Sequence, residues 1–312
     1  MIILLVLALC GTAVYFTYGF IRGNVNNVSS SNQPGGSTGN TGDTGNTSNT
    51  NNTSTQSSSL NAVVTYASVK ITVVDVKQAK SFSDDTNTPD QGVVRLNFKE
   101  DTSDKPGRYY YGDCLRLLLP DGTSVIPSNF QYGFAPDASI SRKNWVDFPV
   151  SLSIHANQMV LRIGTATEAQ MDIPLTGTAD LNKYQAKTAT PNKQALYEGV
   201  NWTITSATSQ WSFAGKQADK GMFYVVVTVK MDNNTSNDFR GYPGDYIRLK
   251  AGTTTTTPDI DSTIPLGVAA GQTNTTGMCA FLVPQGNTDY TFVLLAASSN
   301  GAGQDVSIPF QV

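Results

Sequence analysis

The chain has 312 residues, of which 14% are charged and 39% hydrophobic, and its formal net charge at pH 7 is −3. It contains no basic run and no glycine-rich phosphate loop, which argues against nucleic acid or anionic lipid as the main partner. One histidine and three cysteines do not make a zinc ligand set, and no G-x-S-x-G elbow is present. We therefore predict no catalytic residue, no cofactor and no metal site.

The first 22 residues predict a transmembrane anchor. Residues 1–21 contain no charge, and as a helix they would be about 31 Å long, close to the roughly 30 Å hydrocarbon core of a bilayer. A cleavable signal peptide is one alternative, although the basic head and small-residue end of such a signal are not clear here. A lipoprotein signal ending at Cys10 is the other.

Residues 23–60 predict a disordered linker. They are almost wholly Ser, Thr, Asn, Gly and Gln, and such a segment has too little apolar surface to offset the entropy lost on folding. Asp43 is the only charge in this segment, and a nearly uncharged tether after a membrane helix is typical of an extracellular location. We expect it to hold the rest of the chain away from the membrane, on the extracellular side.

The remainder of the sequence contains one pattern twice. The first copy covers residues 94–101 and 108–117, and the second covers 225–232 and 240–249. The first blocks match at an offset of 131 (225 − 94), and the second blocks match at 132 (240 − 108). The extra residue falls in the polar turn between the blocks, where insertions cost little. This indicates one domain in two tandem copies.

Both copies alternate apolar and polar residues, as in the apolar series Val94, Leu96 and Phe98. Alternation with period two is typical of half-buried antiparallel strands. Short strands separated by turn residues predict an all-β fold with two immunoglobulin-like sandwiches. We place them at residues 61–178 and 193–312, with residues 179–192 as a linker that has room for one helical turn.

Several identical residues occupy equivalent places in the two copies. We expect Gly112 and Gly244 to permit a tight turn, and the aspartates that follow them, Asp113 and Asp245, to cap it. Arg108 and Arg116, with their equivalents Arg240 and Arg248, are candidates for ion pairs with these or other acids across strands. A shared structural role is favoured over a shared ligand site, because fold alone does not imply function.

Two prolines and two cysteines carry structural expectations. Pro174 and Pro309 lie in the predicted last strand of each copy, which must then be an edge strand or contain a bulge. Cys114 and Cys279 lie in different copies, so we expect two packed free thiols. Acidic loops at Asp84 and at Asp259 do not match the spacing of a known calcium loop.

Aromatic residues are the remaining functional lead. Tyr109, Tyr110, Tyr111 and Trp145 are our candidate ligand surface, since they are spaced to face a groove for a carbohydrate or a peptide. Trp202 and Trp211 are candidates for the same role in the second copy. Alternation directs some of these rings inward, so packing in the core is the competing interpretation.

The second copy resembles a bacterial extracellular domain family of unknown function, described as telokin-like or similar to secreted mycobacterial immunoprotective proteins. The segments that carry the resemblance begin with Trp202-Thr-Ile-Thr and Gly221-Met-Phe-Tyr and continue with Asp245-Tyr-Ile-Arg and Leu266-Gly-Val-Ala. The resemblance implies an immunoglobulin-like sandwich on an anchored surface protein, without catalytic residues. The run Thr253–Thr257 departs from the family's pattern.

We therefore expect a membrane-anchored extracellular protein that acts as a non-catalytic binding or adhesion module at the plasma membrane. Its partners would be the membrane, through the N-terminal helix, and a cell-wall glycan or a protein. A structural spacer or sensor ectodomain of the cell envelope is the first alternative. A hydrolase acting on cell-wall material is the second.

Overall fold

The computed structural model describes residues 55–84, 91–296 and 304–312. The predicted transmembrane anchor and most of the predicted linker lie outside these residues. Within them, no helix is long and apolar enough to cross a membrane. The regular secondary structure of the described residues is almost entirely β-strand, which confirms the all-β prediction.

The first half of the described chain, residues 55–184, forms two antiparallel sheets. One sheet has the order β1-β2-β3-β7-β6 and the other has the order β5-β4-β8-β9. A one-turn helix, α1 (Tyr111–Cys114), precedes β4, and a 3₁₀ turn covers Ala156–Gln158. The strands are β1 Gln56–Tyr66, β2 Val69–Ala79, β3 Val93–Thr102, β4 Leu115–Leu118, β5 Ser124–Val125, β6 Asn129–Phe130, β7 Ser141–Pro149, β8 Val160–Ile163 and β9 Met171–Pro174.

The second half, residues 185–312, has a related arrangement. One sheet has the order β10-β12-β15-β20, with β11 also paired to β12, and another has the order β18-β17-β21-β22. A one-turn helix, α2 (Pro243–Tyr246), precedes β17. The strands are β10 Lys187–Ala189, β11 Lys193–Tyr197, β12 Val200–Gln210, β13 Ser212–Phe213, β14 Lys216–Gln217, β15 Met222–Asn233, β16 Phe239–Arg240, β17 Ile247–Ala251, β18 Thr254–Thr256, β19 Gly267–Val268, β20 Thr275–Pro284, β21 Asp289–Leu294 and β22 Val306–Gln311.

Each half has its own hydrophobic core between its two main sheets. In the first half, Leu96 of β3 and Leu117 of β4 belong to the same buried cluster. In the second half, Val227 of β15 and Leu249 of β17 do the same. Alternate strand residues point to one face, so each sheet contributes one apolar face to a sandwich.

The same irregularity interrupts equivalent strand pairs in the two halves. The register between β2 and β3 shifts between Val73 and Asp75, and the register between β12 and β15 shifts between Ile204 and Ser206. These positions are 131 residues apart (204 − 73), the offset found in the sequence. A bulge changes the direction of the side chains that follow it. Because the bulge is at the equivalent position in both halves, equivalent side chains face the core in each half.

The strand boundaries correct the predicted linkers. Residues 56–60, predicted to be disordered, form the start of β1 and pair with β2. Gln56 to Ser59 are exposed on an edge strand, where backbone pairing holds the chain without apolar side chains. In the predicted linker 179–192, a 3₁₀ turn at Asn182–Tyr184 is the expected helical turn, and β10 follows it.

Arg116 and Arg248 bind backbone carbonyls, so the acid partners predicted for them are wrong, whereas Arg240 pairs with Asp238 at 3.1 Å. Nη1 of Arg116 donates to the carbonyl oxygens of Gly112, at 2.9 Å, and Leu115, at 2.6 Å. Nη1 of Arg248 donates to those of Gly244, at 2.8 Å, and Ile247, at 2.7 Å. Carbonyls at the end of a short helix have no intrahelical partner, so the arginine satisfies them.

The repeated glycines are required by the tyrosines that precede them. A Cβ on Gly112 would lie 2.4 Å from the ring of Tyr110, and one on Gly244 would lie 2.8 Å from the ring of Tyr242. The predicted caps are wrong, because in the described residues neither α1 nor α2 has a side-chain capping bond. The turn is closed by the arginine at its C-terminal end, and the adjacent aspartates stay exposed.

The proline and cysteine predictions are confirmed. Pro174 lies in β9 and Pro309 lies in β22, and both strands are at the edge of their sheets. Cys114 and Cys279 are free and buried.

Candidate binding surface

Two of the predicted ligand residues support the core. Tyr111 is 0% exposed, and its ring stacks on Phe98 with centroids 5.8 Å apart. Tyr109 is half-buried, with its ring 5.3 Å from that of Tyr66. The prediction that Tyr111 belongs to a ligand surface is therefore wrong, because the helical turn α1 directs its ring into the sandwich.

The ring of Trp145 is already occupied by protein groups. The guanidinium of Arg95 lies 4.0 Å from the Trp145 ring centroid and 4.2 Å from that of Phe82. Nε of Arg95 also donates to Asp147 at 2.7 Å. The contacts of the guanidinium with the two rings are cation–π interactions, so Arg95 covers one face of the Trp145 indole and closes that face to a ligand.

A buried carboxylate organises the end of the first sandwich that contains Tyr109 and Tyr111. Glu100 is 0% exposed and accepts hydrogen bonds from both phenols, from Nε of Arg142 at 2.7 Å and from Nδ2 of Asn144 at 3.2 Å. Burial, followed by the nearby Glu100 charge, raises the pKa of Tyr109 well above its usual value. Burial likewise raises the pKa of Tyr111, so both phenols keep the protons that they donate to Glu100.

Above this carboxylate lies an exposed aromatic patch, which consists of Tyr110, Phe130, Tyr132 and Phe134. Tyr132 is 45% exposed and Phe134 is 70% exposed. The Tyr110 ring is 5.0 Å from that of Phe134 and meets the Phe130 ring edge-on at 5.5 Å. Of the predicted residues, only Tyr110 belongs to this patch. Aromatic residues at every second position, 130, 132 and 134, were the signal in the sequence.

Backbone pairing fixes the patch. Tyr110 and Phe134 form an isolated antiparallel bridge, and the amide of Tyr111 donates to the carbonyl oxygen of Gly133 at 2.8 Å. A Cβ on Gly133 would lie 2.6 Å from the Phe130 ring and 2.9 Å from the Tyr110 ring. Glycine at 133 therefore allows the rings to close over the backbone.

Arg142 connects the patch to the buried carboxylate. Its guanidinium lies 4.7 Å from the Tyr132 ring centroid, and Nη2 donates to the carbonyl oxygen of Phe134. Asn144 holds Tyr132 at two points, accepting from its amide at 3.0 Å and donating to its carbonyl at 2.9 Å. The rings are thus held in place before any ligand binds, which lowers the entropy cost of binding.

The second half exposes apolar residues at the corresponding place. Tyr242 is 62% exposed and Leu266 is 64% exposed, and the amide of Gly241 donates to the carbonyl oxygen of Leu266 at 2.9 Å. At the offset of 132, Tyr242 corresponds to Tyr110 (242 − 110). Leu266 bonds to Gly241, the equivalent of Tyr109, whose partner in the first half is Ala135. The second half therefore has an exposed tyrosine at the position of Tyr110 and a leucine at that of Ala135.

The acidic residues considered for calcium have protein partners. Nζ of Lys216 lies 3.0 Å from Asp259 and 2.8 Å from Asp261, and Asp84 pairs with Arg95 at 2.8 Å. In the part of the chain that the structure describes, no cluster of three or more His, Cys, Asp or Glu could hold a metal ion.

The other tryptophans lie in different settings. Trp202 is 0% exposed, in the second core. Trp211 is half-buried, and it lines a small cleft.

No protein-family model and no curated protein matches this chain. Solved structures with some similarity include a functionally unknown protein from Listeria monocytogenes EGD-e, 13% identical with a TM-score of 0.31, covering 41% of this chain and 88% of that one. A conserved hypothetical protein from Bacillus anthracis is 13% identical with a TM-score of 0.30, covering 40% and 99%. A conserved domain protein from Bacillus anthracis is 9% identical with a TM-score of 0.24, covering 82% and 90%. We base no argument on similarity at this level.

Proposed function

We propose that this protein is a non-catalytic binding or adhesion module that acts at the cell surface. The observation that carries the proposal is the aromatic patch, with Phe134 at 70% and Tyr132 at 45% exposure. Large exposed rings grouped together are typical of interaction sites. Here Asn144 and Arg142 also bind the backbone of Tyr132 and Phe134, and Arg142 lies over the Tyr132 ring.

The proposed frame for this surface is a pair of immunoglobulin-like sandwiches in tandem, of the telokin-like kind. Its support is the equivalent sheet order, bulge and arginine-closed helical turn in each half. The proposed location, outside the cell on a single membrane-spanning helix, rests on the sequence of residues 1–22 and on the nearly uncharged segment that follows.

A cell-wall glycan is the partner class that the patch favours. Aromatic faces bind the apolar faces of sugar rings, and neighbouring amides and guanidinium groups can bond to hydroxyls. Gln131 is exposed beside the patch and Asn129 is half-buried. A protein partner is the alternative, since tyrosine and arginine are also enriched in protein interfaces.

A glycan and cell-wall-fragment array, probed with the labelled full chain, tests the proposal. We expect binding that disappears in the double variant Tyr132→Ala, Phe134→Ala. The matched control is Ile260→Ala, which removes a side chain that is 88% exposed in the second half. Binding that survives the patch variant would contradict the proposal, and no binding to any glycan would favour a protein partner or the spacer function.

The spacer function has one observation in its favour. Hydrogen bonds join the two halves: the amide of Ser68 donates to Oγ of Ser212 at 3.0 Å, and the amide of Ala169 donates to the carbonyl oxygen of Ala218 at 2.8 Å. Such bonds stiffen the connection, as a spacer would require. They do not explain the exposed rings of the patch, so we place this function second.

A further inference from the structure

A small cleft, separate from the aromatic patch, lies where the first half joins the second. It has a volume of about 220 Å³, and its lining includes Trp211, Phe223, Lys183, Lys187 and Gln285. Sites for drug-sized ligands have roughly 300–1,000 Å³, so this joint cleft has room for a single ring of a longer molecule.

Trp211 is held in one orientation in this cleft. Its Nε1 donates to the carbonyl oxygen of Lys183 at 3.0 Å, and its ring meets that of Tyr184 edge-on, with centroids 5.3 Å apart. The backbone carbonyl of Trp211 accepts from the amide of Ala218 at 2.8 Å. The indole is still half-exposed, so a fixed aromatic surface borders the cleft beside the half-exposed ring of Phe223.

Polar groups in the lining suit the hydroxyls of a sugar. Gln285 uses Nε2 to donate to the carbonyl oxygen of Met222 at 2.9 Å, and Gln185 uses Nε2 to donate to the carbonyl oxygen of Val63 at 2.9 Å. Each bond fixes an amide whose oxygen can accept a hydrogen bond from a hydroxyl. An aromatic wall with oriented amides is the usual composition of a saccharide subsite.

The charges at the cleft favour an anion. Lys183 and Lys187 are both exposed, and none of the described residues that line the cleft is an aspartate or glutamate. Val312 also lines the cleft, so in the 312-residue chain two ammonium groups face one carboxylate, that of the chain end. The chain as a whole carries a net charge of −3, so these two lysines make the surface at the cleft more positive than the protein as a whole. An ammonium group forms a charge-assisted hydrogen bond with a carboxylate.

We propose that the joint cleft binds one carboxylate-bearing sugar residue of a polysaccharide, with the ring against Trp211 and the carboxylate near Lys183 and Lys187. This is a separate site from the aromatic patch, on different residues. It stands or falls independently of the function proposed for the patch.

Calorimetric titration of the full chain with hexagalacturonate, and with neutral cellohexaose of the same length, tests this site. We expect hexagalacturonate to bind at least tenfold more tightly than cellohexaose, and its affinity to fall as sodium chloride is raised, since salt screens exposed charges. Equal affinity for the two hexasaccharides, or no binding of hexagalacturonate, would overturn the proposal.

Variants assign the binding to the cleft. Trp211→Ala should weaken hexagalacturonate binding at least tenfold, and so should the exposed pair Lys183→Gln, Lys187→Gln, which does not disturb the core. The matched control with the same charge change is Lys143→Gln, Lys220→Gln, on exposed lysines outside the cleft. Phe134→Ala should leave the titration unchanged. Unchanged binding in the lysine pair, or loss in Phe134→Ala, would overturn the assignment.

Discussion

Nε of Arg142 donates to the buried carboxylate of Glu100 at 2.7 Å, while the same guanidinium lies over the exposed ring of Tyr132. One side chain therefore connects a fully buried acid to the proposed binding surface. The geometry of the aromatic patch therefore depends on an ion pair whose acid, Glu100, is fully buried.

Replacing Glu100 should lower both the free energy of unfolding and the affinity of the aromatic patch for its ligand. Glu100→Gln keeps the shape of the side chain but leaves Arg142, whose side chain is 20% exposed, without its counter-charge. Breaking a buried pair in this way typically costs about 3 kcal/mol. We expect a loss of that size in the free energy of unfolding, measured by urea denaturation at pH 7. Asp113→Asn, on an exposed aspartate, is the control, and a loss no larger than that control would contradict this account.

The arginine-closed turns should contribute equally in the two halves. Arg116→Met and Arg248→Met each remove two hydrogen bonds to backbone carbonyls, and we expect each to lower the free energy of unfolding by about 1–2 kcal/mol. Denaturant titration of the single variants measures this.

The control for these turns is Arg240→Met. Its ion pair with Asp238 involves a side chain that is 82% exposed, so we expect a change within about 0.5 kcal/mol. A markedly unequal effect of Arg116→Met and Arg248→Met would show that the repeated arginines do not have the same structural role.

Acid should destabilise the fold partly through Asp232. A hydrogen bond from the amide of Asn274, followed by one from Lys230, lowers the pKa of Asp232 below its ordinary value of 3.8. A lowered folded-state pKa contributes stability that is present above pH 3.8 and is lost as pH falls through the folded value. Asp232→Asn should therefore flatten the pH dependence of unfolding below pH 4. A curve with the wild-type slope would contradict the shift.

The two buried thiols should be inert in the folded protein. Burial raises the pKa of Cys114 to about 12 and raises that of Cys279 well above its usual value, and the thiolate is the reactive form. In a Cys10→Ala variant, we expect no reaction with a disulfide reagent at pH 8 until denaturant is added, followed by labelling at two thiols. Rapid labelling of the native protein would show that these sites open locally.

Period-two alternation predicted the sheets well because strand side chains strictly alternate. The same alternation puts Glu100 on the face of Phe98, but burial of an acid there depends on donors from distant residues such as Tyr111 and Asn144, which a local pattern does not show. Arg95 lies on the opposite face from Val94 and Leu96. It is covered there by Trp145 and Phe82, a contact that no local pattern specifies.

The aromatic patch was only partly predictable. Tyr110 was identified from its run of three tyrosines, but the turn α1 sends Tyr111 inward, and a local run does not show which ring stays outside. The contact between Tyr110 and Phe134 closes a loop of 24 residues (134 − 110). Pairings of this kind depend on the register of the folded strands, which the local sequence does not show. The sign of this segment in the sequence is the alternation of Phe130, Tyr132 and Phe134.

The most direct test of the binding function is the affinity of the best array ligand for the wild type, for Phe134→Ala and for Ile260→Ala, measured by calorimetry with the full chain. Central rings of a binding surface typically contribute 2 kcal/mol or more, or about 30-fold in affinity. We predict at least a tenfold loss in Phe134→Ala and no change in Ile260→Ala. Equal affinity in all three proteins would contradict a binding role for the aromatic patch.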